Sequence, residues 1–403
     1  MGSAASRRTF LQGIGIAGLG MAGAAASAAE KKPIAGFEDN VKKTVAENKW
    51  QPVSDRKIKF GIVGYGMCQF GAAFSFQHHP NVEIVGVSDL FADRCAGLAK
   101  DCKCKTSYPS LEKLIENDNI EAVFVATDAP SHVDHCIKVL KSGKHVASAV
   151  PATWKSVEDG EKLLEAVETT GKKYMMFETS MFHASLYAMR KAYMAGAIGR
   201  IVYSEGEYYH RDAAKLPGYK NWRFGLPPLW YPTHNTAYYI GVTDKTFTEV
   251  SCQGFRGGMP ENKPGANQWD NPFDSEVALF KTSEGGMSRQ AVAWGFQGGP
   301  GGEHGRIFGE FGSMQSAQYS GAKSNLLPAS LARPGLPPGV FPGYHGGSHG
   351  QLCHEFVTAI LENRDPLVDI YMALNMTVPG IIAHQSALKN GELLKVPQYK
   401  RPG

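Results

Sequence analysis

The clearest pattern of apolar and polar positions in this chain lies between Lys57 and Asp89. Residues 58–63 form a nearly continuous apolar run rich in β-branched side chains, which is typical of a strand buried on both faces of a sheet. A glycine turn, a mixed segment and a second apolar run follow, and Asp89 ends the second run. The pattern predicts a strand, a tight turn, a helical segment and a second, parallel strand.

The same alternation of amphipathic segments and short apolar runs continues as far as Phe177. It predicts helices at 92–100, 110–116, 133–142 and 157–169, and strands at 122–126 and 173–177. Strands that alternate with helices form a parallel sheet covered on both faces, so the predicted fold class is α/β with a Rossmann-type first domain. The turn after residue 126 follows the carboxyl end of a strand, where an open α/β sheet binds its ligand.

The turn 64–66 has the composition of half a dinucleotide site. Its two glycines allow the backbone to turn tightly and to approach a pyrophosphate, and Asp89 comes about 20 residues later, where a carboxylate accepts hydrogen bonds from an adenosine ribose. The glycine pattern is imperfect, because Gln69 occupies the third glycine position and Gly71 comes two residues later. An ordinary buried strand, turn and helix is the alternative interpretation.

A nicotinamide dinucleotide is the cofactor that this arrangement predicts. A carboxylate at position 89 favours NAD over NADP, since it repels a 2′-phosphate, although Arg94 lies near enough to weaken that preference. The predicted cofactor-binding residues are Gly64, Tyr65, Gly66, Met67, Asp89, Arg94, Thr127, His132 and Pro151.

Length and charge narrow the class of protein further. A chain of 403 residues exceeds the usual size of one domain, so we expect two. The 42 basic and 38 acidic residues give a net charge of +4, with no basic stripe of the kind that binds nucleic acid. The seven cysteines lack CxxC pairs and zinc-site spacing, so we expect buried or free thiols.

The first residues have the composition of an export signal. Arg7 and Arg8 precede a Gly/Ala-rich apolar segment and the small residues 26–28, which predicts a twin-arginine signal peptide at 1–28 and a periplasmic or other extracytoplasmic location. A membrane anchor is disfavoured, because the apolar stretch falls short of about 20 residues. No later segment is predicted to span a membrane. Residues 29–56 are polar and predict an N-terminal arm with one short helix at 39–48.

Five segments together resemble the glucose-fructose oxidoreductase, inositol dehydrogenase and MocA (Gfo/Idh/MocA) superfamily. They are the glycine turn, VSDLFADR at 87–94, ATDAPSH at 126–132, GKHVASAVP at 143–151, and 354–397. The resemblance implies a Rossmann domain at 57–177 and a second α/β domain at 178–403, whose open, mainly antiparallel sheet carries the substrate face and often an oligomer interface. It further implies a nicotinamide cofactor, a sugar or polyol substrate and a homo-oligomer, and we expect the C-terminal segment to pack back onto the first domain.

The chain departs from that superfamily at Ala149, Val150 and Pro151, where its dehydrogenases usually have Glu-Lys-Pro. The usual catalytic lysine is therefore absent. Trp230 also stands where an aspartate normally precedes the catalytic histidine by four places. Because valine has no titratable group, a histidine or tyrosine must take the proton of the alcohol.

A narrower resemblance centres on the segment Tyr231-Pro232-Thr233-His234. It is similar to glycoside hydrolase family 109, which also lacks the lysine and has a tyrosine and a histidine at this spacing. The segments 271–273 and 345–347 add to the similarity. That family generally has a glutamate where this chain has Ala149.

Three residues are the candidate catalytic groups. His234 opens a helix and is the predicted general base, with a packed structural histidine as the alternative. Tyr231 is placed to bind a sugar hydroxyl or a developing alkoxide, or else to pack at a domain junction. His183 follows the strand 173–177 at the expected mouth of the substrate site and is a predicted substrate contact.

No metal site is predicted. Convergence of Glu178, His183, His210 and His234 on a metal is the alternative, but the sequence has no H-x-x-x-H or similar spacing among them. The glycine-rich segments 295–306 and 334–350 are predicted to be loops of the second domain. The tract 208–230 concentrates aromatic and basic residues, which favours either stacking on sugar rings or an aromatic core.

Three functions remain open at this point. The first is hydride transfer between the nicotinamide and a secondary hydroxyl of a sugar or glycoside, at carbon 3. The second is a glycosidase that oxidises the sugar transiently, eliminates the aglycone, adds water and returns the hydride. The third is a cofactor-bound sugar-binding protein without turnover, which the loss of the lysine makes possible.

Overall fold

The computed structural model describes residues 50–296 and 301–402. The predicted signal peptide, most of the N-terminal arm and its helix at 39–48 lie outside the described residues, so they stay predictions. None of the described helices combines the length and apolar character needed to cross a bilayer.

The first sheet has six described strands, all parallel, in the order β3-β2-β1-β4-β5-β6. The strands are β1 Ile58–Val63, β2 Val82–Ser88, β3 Ser107–Tyr108, β4 Ala122–Val125, β5 His145–Ser148 and β6 Tyr174–Met176. This order is the doubly wound one, in which the sheet grows outward in both directions from its first strand. All residues of β4 and most of β1 are buried, because helices cover both faces.

Five helices connect these strands. They are α1 Phe70–Ala73, α2 Ala92–Asp101, α3 Leu111–Ile115, α4 His132–Lys141 and α5 Val157–Thr170. The side chain of Ser110 caps α3 by accepting a hydrogen bond from the Lys113 amide at 3.3 Å, as its predicted position implied. The helix after the glycine turn is the main difference from the expected pattern: α1 is four residues long, and Ser75 then takes a left-handed conformation (φ 70°) before a 3₁₀ turn at Phe76–His78.

The second sheet is mixed and mainly antiparallel, with the order β13-β12-β11-β7-β10-β9-β8-β14. Its strands are β7 Ile201–Tyr209, β8 Phe247–Phe255, β9 Ser275–Thr282, β10 Met287–Ala293, β11 Gly302–Gly309, β12 Gly312–Gln315, β13 Gln318–Gly321 and β14 Leu394–Lys395. Among the described strands of this second sheet, only β7 and β10 pair in parallel. Buried and non-buried residues alternate along β9, so this sheet packs on one face and is open on the other. The predicted fold class is confirmed.

The remaining α-helices are α6 Ala184–Met194, α7 Thr233–Thr236, α8 Ile240–Thr243, α9 His349–Leu361 and α10 Ile370–Leu388. The short helix α7 contacts β7, β10 and β11 of the second sheet, whereas α9 packs on the first sheet, where the Phe356 ring lies 6.0 Å from that of Phe60 on β1. Helix α10 is apolar on almost every side, which is expected of a helix buried on all faces. It packs against β8 of the second sheet and also against α5 and β6 of the first.

The predicted loop at 295–306 is wrong in its second half. Residues from Gly302 onward form β11, which pairs with β7 so that Glu303 lies opposite Tyr208. Glycines carry no apolar pattern, and the strand is held by backbone pairing to a distant partner, so the local sequence gave no indication of it. The described part of the segment 334–350 contains a 3₁₀ turn at His345–Gly347 and the start of α9.

Candidate active site

A cleft of about 850 Å³ opens at the carboxyl ends of β1, β2 and β4. This is where an open α/β sheet with this strand order binds a dinucleotide. The lining includes seven of the predicted cofactor-binding residues: Gly64, Tyr65, Gly66, Met67, Asp89, Arg94 and Thr127.

The glycines of the turn have distinct roles. Gly64 has φ +101°, and a side chain there would overlap the carbonyl oxygen of Ala126 on the neighbouring strand. Gly66 lines the cleft and has open space where a Cβ would stand, so a ligand can approach its backbone closely. Gly71 packs so tightly against the turn that a Cβ would overlap the carbonyl oxygen of Gly64. Gly71 therefore supplies the close helix-to-strand packing that the third glycine of the motif normally provides.

Asp89 is held in place by two backbone amides. The Tyr65 amide donates to Oδ2 at 2.7 Å and the Phe91 amide to Oδ1 at 2.9 Å. Each carboxylate oxygen keeps a further lone pair, so the group still accepts hydrogen bonds from the cleft. The Arg94 guanidinium lies 4.5 Å from the centre of the Phe91 ring and lines the same cleft. The residues present therefore fit a dinucleotide at two places, the glycine turn for the pyrophosphate and Asp89 for the adenosine ribose.

Two predicted cofactor residues do not line this cleft. His132 is buried, with Nδ1 at 2.9 Å from the carbonyl oxygen of Pro151 and Nε2 at 3.2 Å from that of Thr127. Both ring nitrogens of His132 thus face backbone carbonyls, and the imidazole ties the loop after β4 to the loop after β5. At the start of the loop after β5, Ala149 and Val150 are buried aliphatic residues, so these two positions contribute no titratable side chain.

Residues 217–223, here called the covering segment, form the opposite wall of the cleft. They follow β7 of the second sheet, and the Tyr219 ring meets the Phe91 ring edge-on, with centroids 6.1 Å apart. The segment is anchored from behind, because the Trp269 indole donates to the Trp222 carbonyl at 2.9 Å. A nucleotide in the cleft would therefore contact both parts of the chain.

Next to the cleft lies a group of five side chains, here called the histidine–glutamate cluster. Its members are Glu178, His183, His234, Glu303 and His345. Glu178 leaves the end of β6, His183 caps α6, His234 lies in α7, Glu303 lies on β11, and His345 lies in the turn before α9.

The inner part of the cluster is buried. Glu178 is 0% exposed, His234 3% and Glu303 8%. His234 Nδ1 lies 2.8 Å from Glu178 Oε1 and 3.9 Å from Glu303 Oε1. The Ser180 amide donates to Glu178 Oε1 at 2.8 Å, and the Ser180 hydroxyl donates to Glu303 Oε2 at 2.6 Å. Serine 180 therefore orients both carboxylates.

The other two histidines approach Glu303 from opposite sides. His345 Nδ1 lies 2.9 Å from Glu303 Oε1, while His183 Nε2 lies 3.1 Å from Oε2 without making a hydrogen bond. Glu178 Oε2 is also buried without a hydrogen-bond partner among the described residues. His345 adopts φ +49°, a left-handed conformation that is uncommon outside glycine. Two polar atoms of this cluster are thus aimed inward without a partner.

The electrostatics of the cluster follow from its two buried carboxylates. Burial alone would lower the pKa of His234, but Glu178 and Glu303 outweigh it and raise that pKa to about 9. Burial would raise the pKa of Glu303, yet His234, His345 and His183 hold it below its ordinary value. Burial lowers the pKa of His183 in spite of Glu303. His234 therefore carries the proton more readily than His183 does.

Aromatic side chains join the cluster to the cleft. Phe70 lines the cleft, and its ring centre lies 6.4 Å from that of His345. On the other side, the Arg223 guanidinium lies 5.8 Å from the Tyr231 ring, which is 5.5 Å from the His234 ring. The cleft and the cluster are therefore separated by about one ring.

The structure brings together His234, Tyr231 and His183, the three predicted catalytic residues. Of the four residues considered for a metal, it brings together Glu178, His183 and His234, whereas His210 is exposed and bonded to its neighbour's backbone. The sequence analysis predicted a loop at 295–306 and therefore missed Glu303. His345 appeared there only within the segment 345–347, which adds to the family resemblance.

The first domain of the chain matches a known protein family. Residues 58–178 match the oxidoreductase family with an NAD-binding Rossmann fold, Gfo/Idh/MocA. These residues are similar to that family, and the resemblance noted in the sequence is confirmed.

The named relatives include both a glycosyl hydrolase and a dehydrogenase. Glycosyl hydrolase family 109 protein 1 of Bacteroides thetaiotaomicron is 31% identical over 176 residues, which are 41% of this chain and 38% of that protein. The chain thus spans about two fifths of the length of this relative. Inositol 2-dehydrogenase of Rubrobacter xylanophilus is 28% identical over 273 residues, which are 66% of this chain and 73% of that protein.

Solved structures share the whole architecture. Levoglucosan dehydrogenase, in complex with NADH and levoglucosan, has a TM-score of 0.70 at 17% identity, over 85% of this chain and 100% of that one. Scyllo-inositol dehydrogenase of Lactobacillus casei, with bound NAD(H) and scyllo-inositol, has a TM-score of 0.67 at 17% identity, over 84% and 99%. At these identities the likeness establishes the fold.

Proposed function

We propose that the protein moves a hydride between a tightly bound nicotinamide dinucleotide and a secondary hydroxyl of a sugar or glycoside, at carbon 3 of a hexose. The observation that carries the proposal is the adjacency of the cleft and the histidine–glutamate cluster. A nucleotide cradle and a set of proton-accepting side chains lie about one ring apart, as hydride transfer coupled to proton transfer requires. The inositol and levoglucosan dehydrogenases among the similar proteins support a polyol or sugar as the substrate class.

Each part of the cleft has a role in this proposal. The turn 64–66 approaches the pyrophosphate and Asp89 binds the adenosine ribose, with NAD favoured over NADP. The nicotinamide supplies the hydride-accepting and hydride-donating chemistry. The alcohol proton passes to one of the two histidines that share Glu303, His234 or His183, while Tyr231 binds a hydroxyl of the substrate.

The assignment of proton transfer is tested by single substitutions. His234→Ala should keep the bound nucleotide and the fold, with a lower melting temperature because the buried Glu178 loses its partner, and should slow the chemical step by about 10²- to 10⁴-fold. His384→Asn is the matched control, since His384 is another buried histidine paired with a glutamate, Glu276, at 2.7 Å. Single-turnover reduction of the bound nucleotide is the measurement. Wild-type rates in His234→Ala would move the role to His183 or Tyr231.

A second function is favoured by the similarity to glycosyl hydrolase family 109 proteins. In a glycosidase of this type, oxidation at carbon 3 acidifies the neighbouring C–H, the aglycone is eliminated, water adds, and the hydride returns to the same sugar. The same cleft and cluster would serve both functions. The two net reactions are separated by incubating the purified protein with a panel of glycosides without added NAD. Keto-sugar supports the oxidoreductase, free aglycone supports the glycosidase, and neither supports a binding protein.

The predicted twin-arginine signal adds a constraint on the cofactor. A protein exported in folded form would carry its nucleotide from the cytoplasm, and the covering segment 217–223 would slow its release. We therefore expect multiple turnovers without added NAD, with the hydride returned to a sugar or passed to another acceptor. Product formation is measured against enzyme concentration. A stop at one equivalent per chain, relieved by NAD, would rule out recycling.

A further inference from the structure

We infer that the histidine–glutamate cluster is a divalent metal site, with Glu178, His234 and Glu303 as its inner ligands and a transition-metal ion of the zinc, manganese or iron class as its occupant. No sequence motif indicates this site, and the names of the four relatives and structures described above mention no metal.

The geometry is the first argument. One ligand atom from each of the three residues lies within 4.8 Å of the other two, and all three residues are buried. Ligands bonded tetrahedrally to one zinc ion at about 2.0–2.2 Å are about 3.3–3.6 Å apart. The distances from His234 Nδ1 to Glu178 Oε1 and Glu303 Oε1, 2.8 and 3.9 Å, lie on either side of that spacing. The three ligands come from separate parts of the chain, and the fold therefore assembles the site.

Unpartnered polar atoms are the second argument. Glu178 is completely buried, one of its oxygens accepts from Ser180, and the other, Oε2, has no hydrogen-bond partner among the described residues. His183 Nε2 is likewise buried without a hydrogen bond, 3.1 Å from Glu303 Oε2. Leaving a buried carboxylate oxygen unpaired is costly, and a cation in the centre of the cluster would satisfy it.

A comparison within the protein sharpens this point. His384 and Glu276 form another buried histidine–glutamate pair, with 2.7 Å between Nδ1 and Oε1. There the second carboxylate oxygen accepts a hydrogen bond from the Leu229 amide at 2.8 Å, so the pair is complete. The pair formed by His234 and Glu178 has no such second donor, and a second carboxylate, Glu303, faces it instead.

Charge is the third argument. Two carboxylates share the cluster, and their ion-pair partners among the described residues are histidines rather than lysine or arginine. A divalent cation compensates two buried carboxylates without requiring a protonated imidazole. Imidazole and carboxylate donors together suit zinc, iron and manganese, whereas calcium and magnesium prefer oxygen ligands alone.

The role of the ion rests on the proposed function. With three protein ligands, a catalytic metal site keeps at least one open position, and here it would face the substrate end of the cleft. An ion there stabilises the oxygen of a substrate hydroxyl as it loses its proton. In the balanced step the carbon gives its hydride to the nicotinamide, the hydroxyl proton passes to Nε2 of His183, and the metal keeps its oxidation state. The ion would thus replace the positive charge that a lysine at position 150 would provide.

Metal content tests the site without reference to turnover. The full chain is purified with an affinity tag that contains no histidine, and Zn, Mn, Fe, Co and Ni are measured by elemental analysis. We expect about one equivalent per chain in the wild type and less than a tenth of that in Glu178→Gln and Glu303→Gln. Glu276→Gln is the matched control, since it alters a buried glutamate paired with histidine and should retain the metal.

A titration protects the test against variants that fold poorly. The wild-type protein is stripped with a chelator and titrated with Co²⁺, whose visible absorption reports imidazole and carboxylate ligation, and His234→Asn should weaken that binding at least 100-fold. Wild-type protein that carries no metal and binds no Co²⁺ would overturn the inference. Metal binding without hydride transfer would support the metal site and refute the proposed function. Full turnover by metal-free protein would support the proposed function and refute the role of the metal in it.

Discussion

The carboxylate of Asp89 allows the cofactor proposal to be tested quantitatively. In Asp89→Ala, the ribose loses an ionised acceptor, and hydrogen bonds to a charged group contribute about 1.5–3 kcal/mol each. Loss of two such bonds at the lower value is about 3 kcal/mol, or about a 100-fold weaker affinity for NAD. The amides of Tyr65 and Phe91 also lose their acceptor, but they border the cleft, where water replaces it at a cost of about 1 kcal/mol or less each.

The measurement has two stages. The nucleotide released on denaturing the purified protein is identified and counted, and the stripped protein is then titrated with NAD and with NADP by calorimetry. Asp89→Asn is the matched variant, because it removes the charge while keeping one oxygen acceptor. With the repulsion gone and Arg94 nearby, its preference should shift toward NADP. If Asp89→Ala retains a full complement of nucleotide with unchanged affinity, or if the wild type releases NADP, the assignment of this carboxylate to the ribose of NAD is wrong.

Four further substitutions probe how the fold positions the site. Gly71→Ala should lower the free energy of unfolding by about 1–3 kcal/mol, because its Cβ would overlap the backbone of the glycine turn. Gly66→Ala should instead fold normally and lose nucleotide, because its Cβ would stand in the open cleft. Thermal melting and nucleotide content distinguish the two variants. Gly206→Ala would push on the carbonyl of Asn235, and should reduce the rate of hydride transfer more than it reduces nucleotide content. Tyr219→Ala should speed nucleotide dissociation, measured by exchange with labelled NAD, and an unchanged rate would show that the covering segment 217–223 does not retain the cofactor.

The first sheet could be predicted closely from the sequence. The apolar run at 58–63 and the strand at 122–126 carry their information locally, since a strand buried on both faces needs a continuous apolar sequence. The structure gives these strands as Ile58–Val63 and Ala122–Val125. Asp89 was identifiable for the same reason, because it directly follows a strand at a fixed distance from the glycine turn.

The cluster could be predicted only in part. His234 and His183 were found because they stand beside recognisable segments, but Glu303 lies in a glycine-rich stretch and reaches the site through the pairing of β11 with β7. His210 was considered with the other histidines, yet it lies just beyond the end of β7 and is exposed. The pairing of distant strands decides which of these side chains meet, and local patterns carry little information about such pairing.

The position of the missing lysine and the buried glutamate of the cluster are neighbours in space. Strands β5 and β6 are adjacent, and Ser148 pairs with Met176. Val150 and Glu178 each come two residues after those paired positions, so both leave the same edge of the sheet side by side.

A lysine at position 150 would bring a positive charge to the place where Glu178 now carries a negative one. At this edge the chain therefore has a carboxylate, with a second carboxylate and three imidazoles around it, where the dehydrogenases of the superfamily that it resembles usually have a lysine. An amine stabilises a developing alkoxide by its own charge, whereas a carboxylate does so only through a cation that it holds. The absence of the lysine and the presence of the cluster are thus linked. In the proposed site, a cation held by the carboxylates stabilises the alkoxide in place of the lysine, and hydride transfer can still occur.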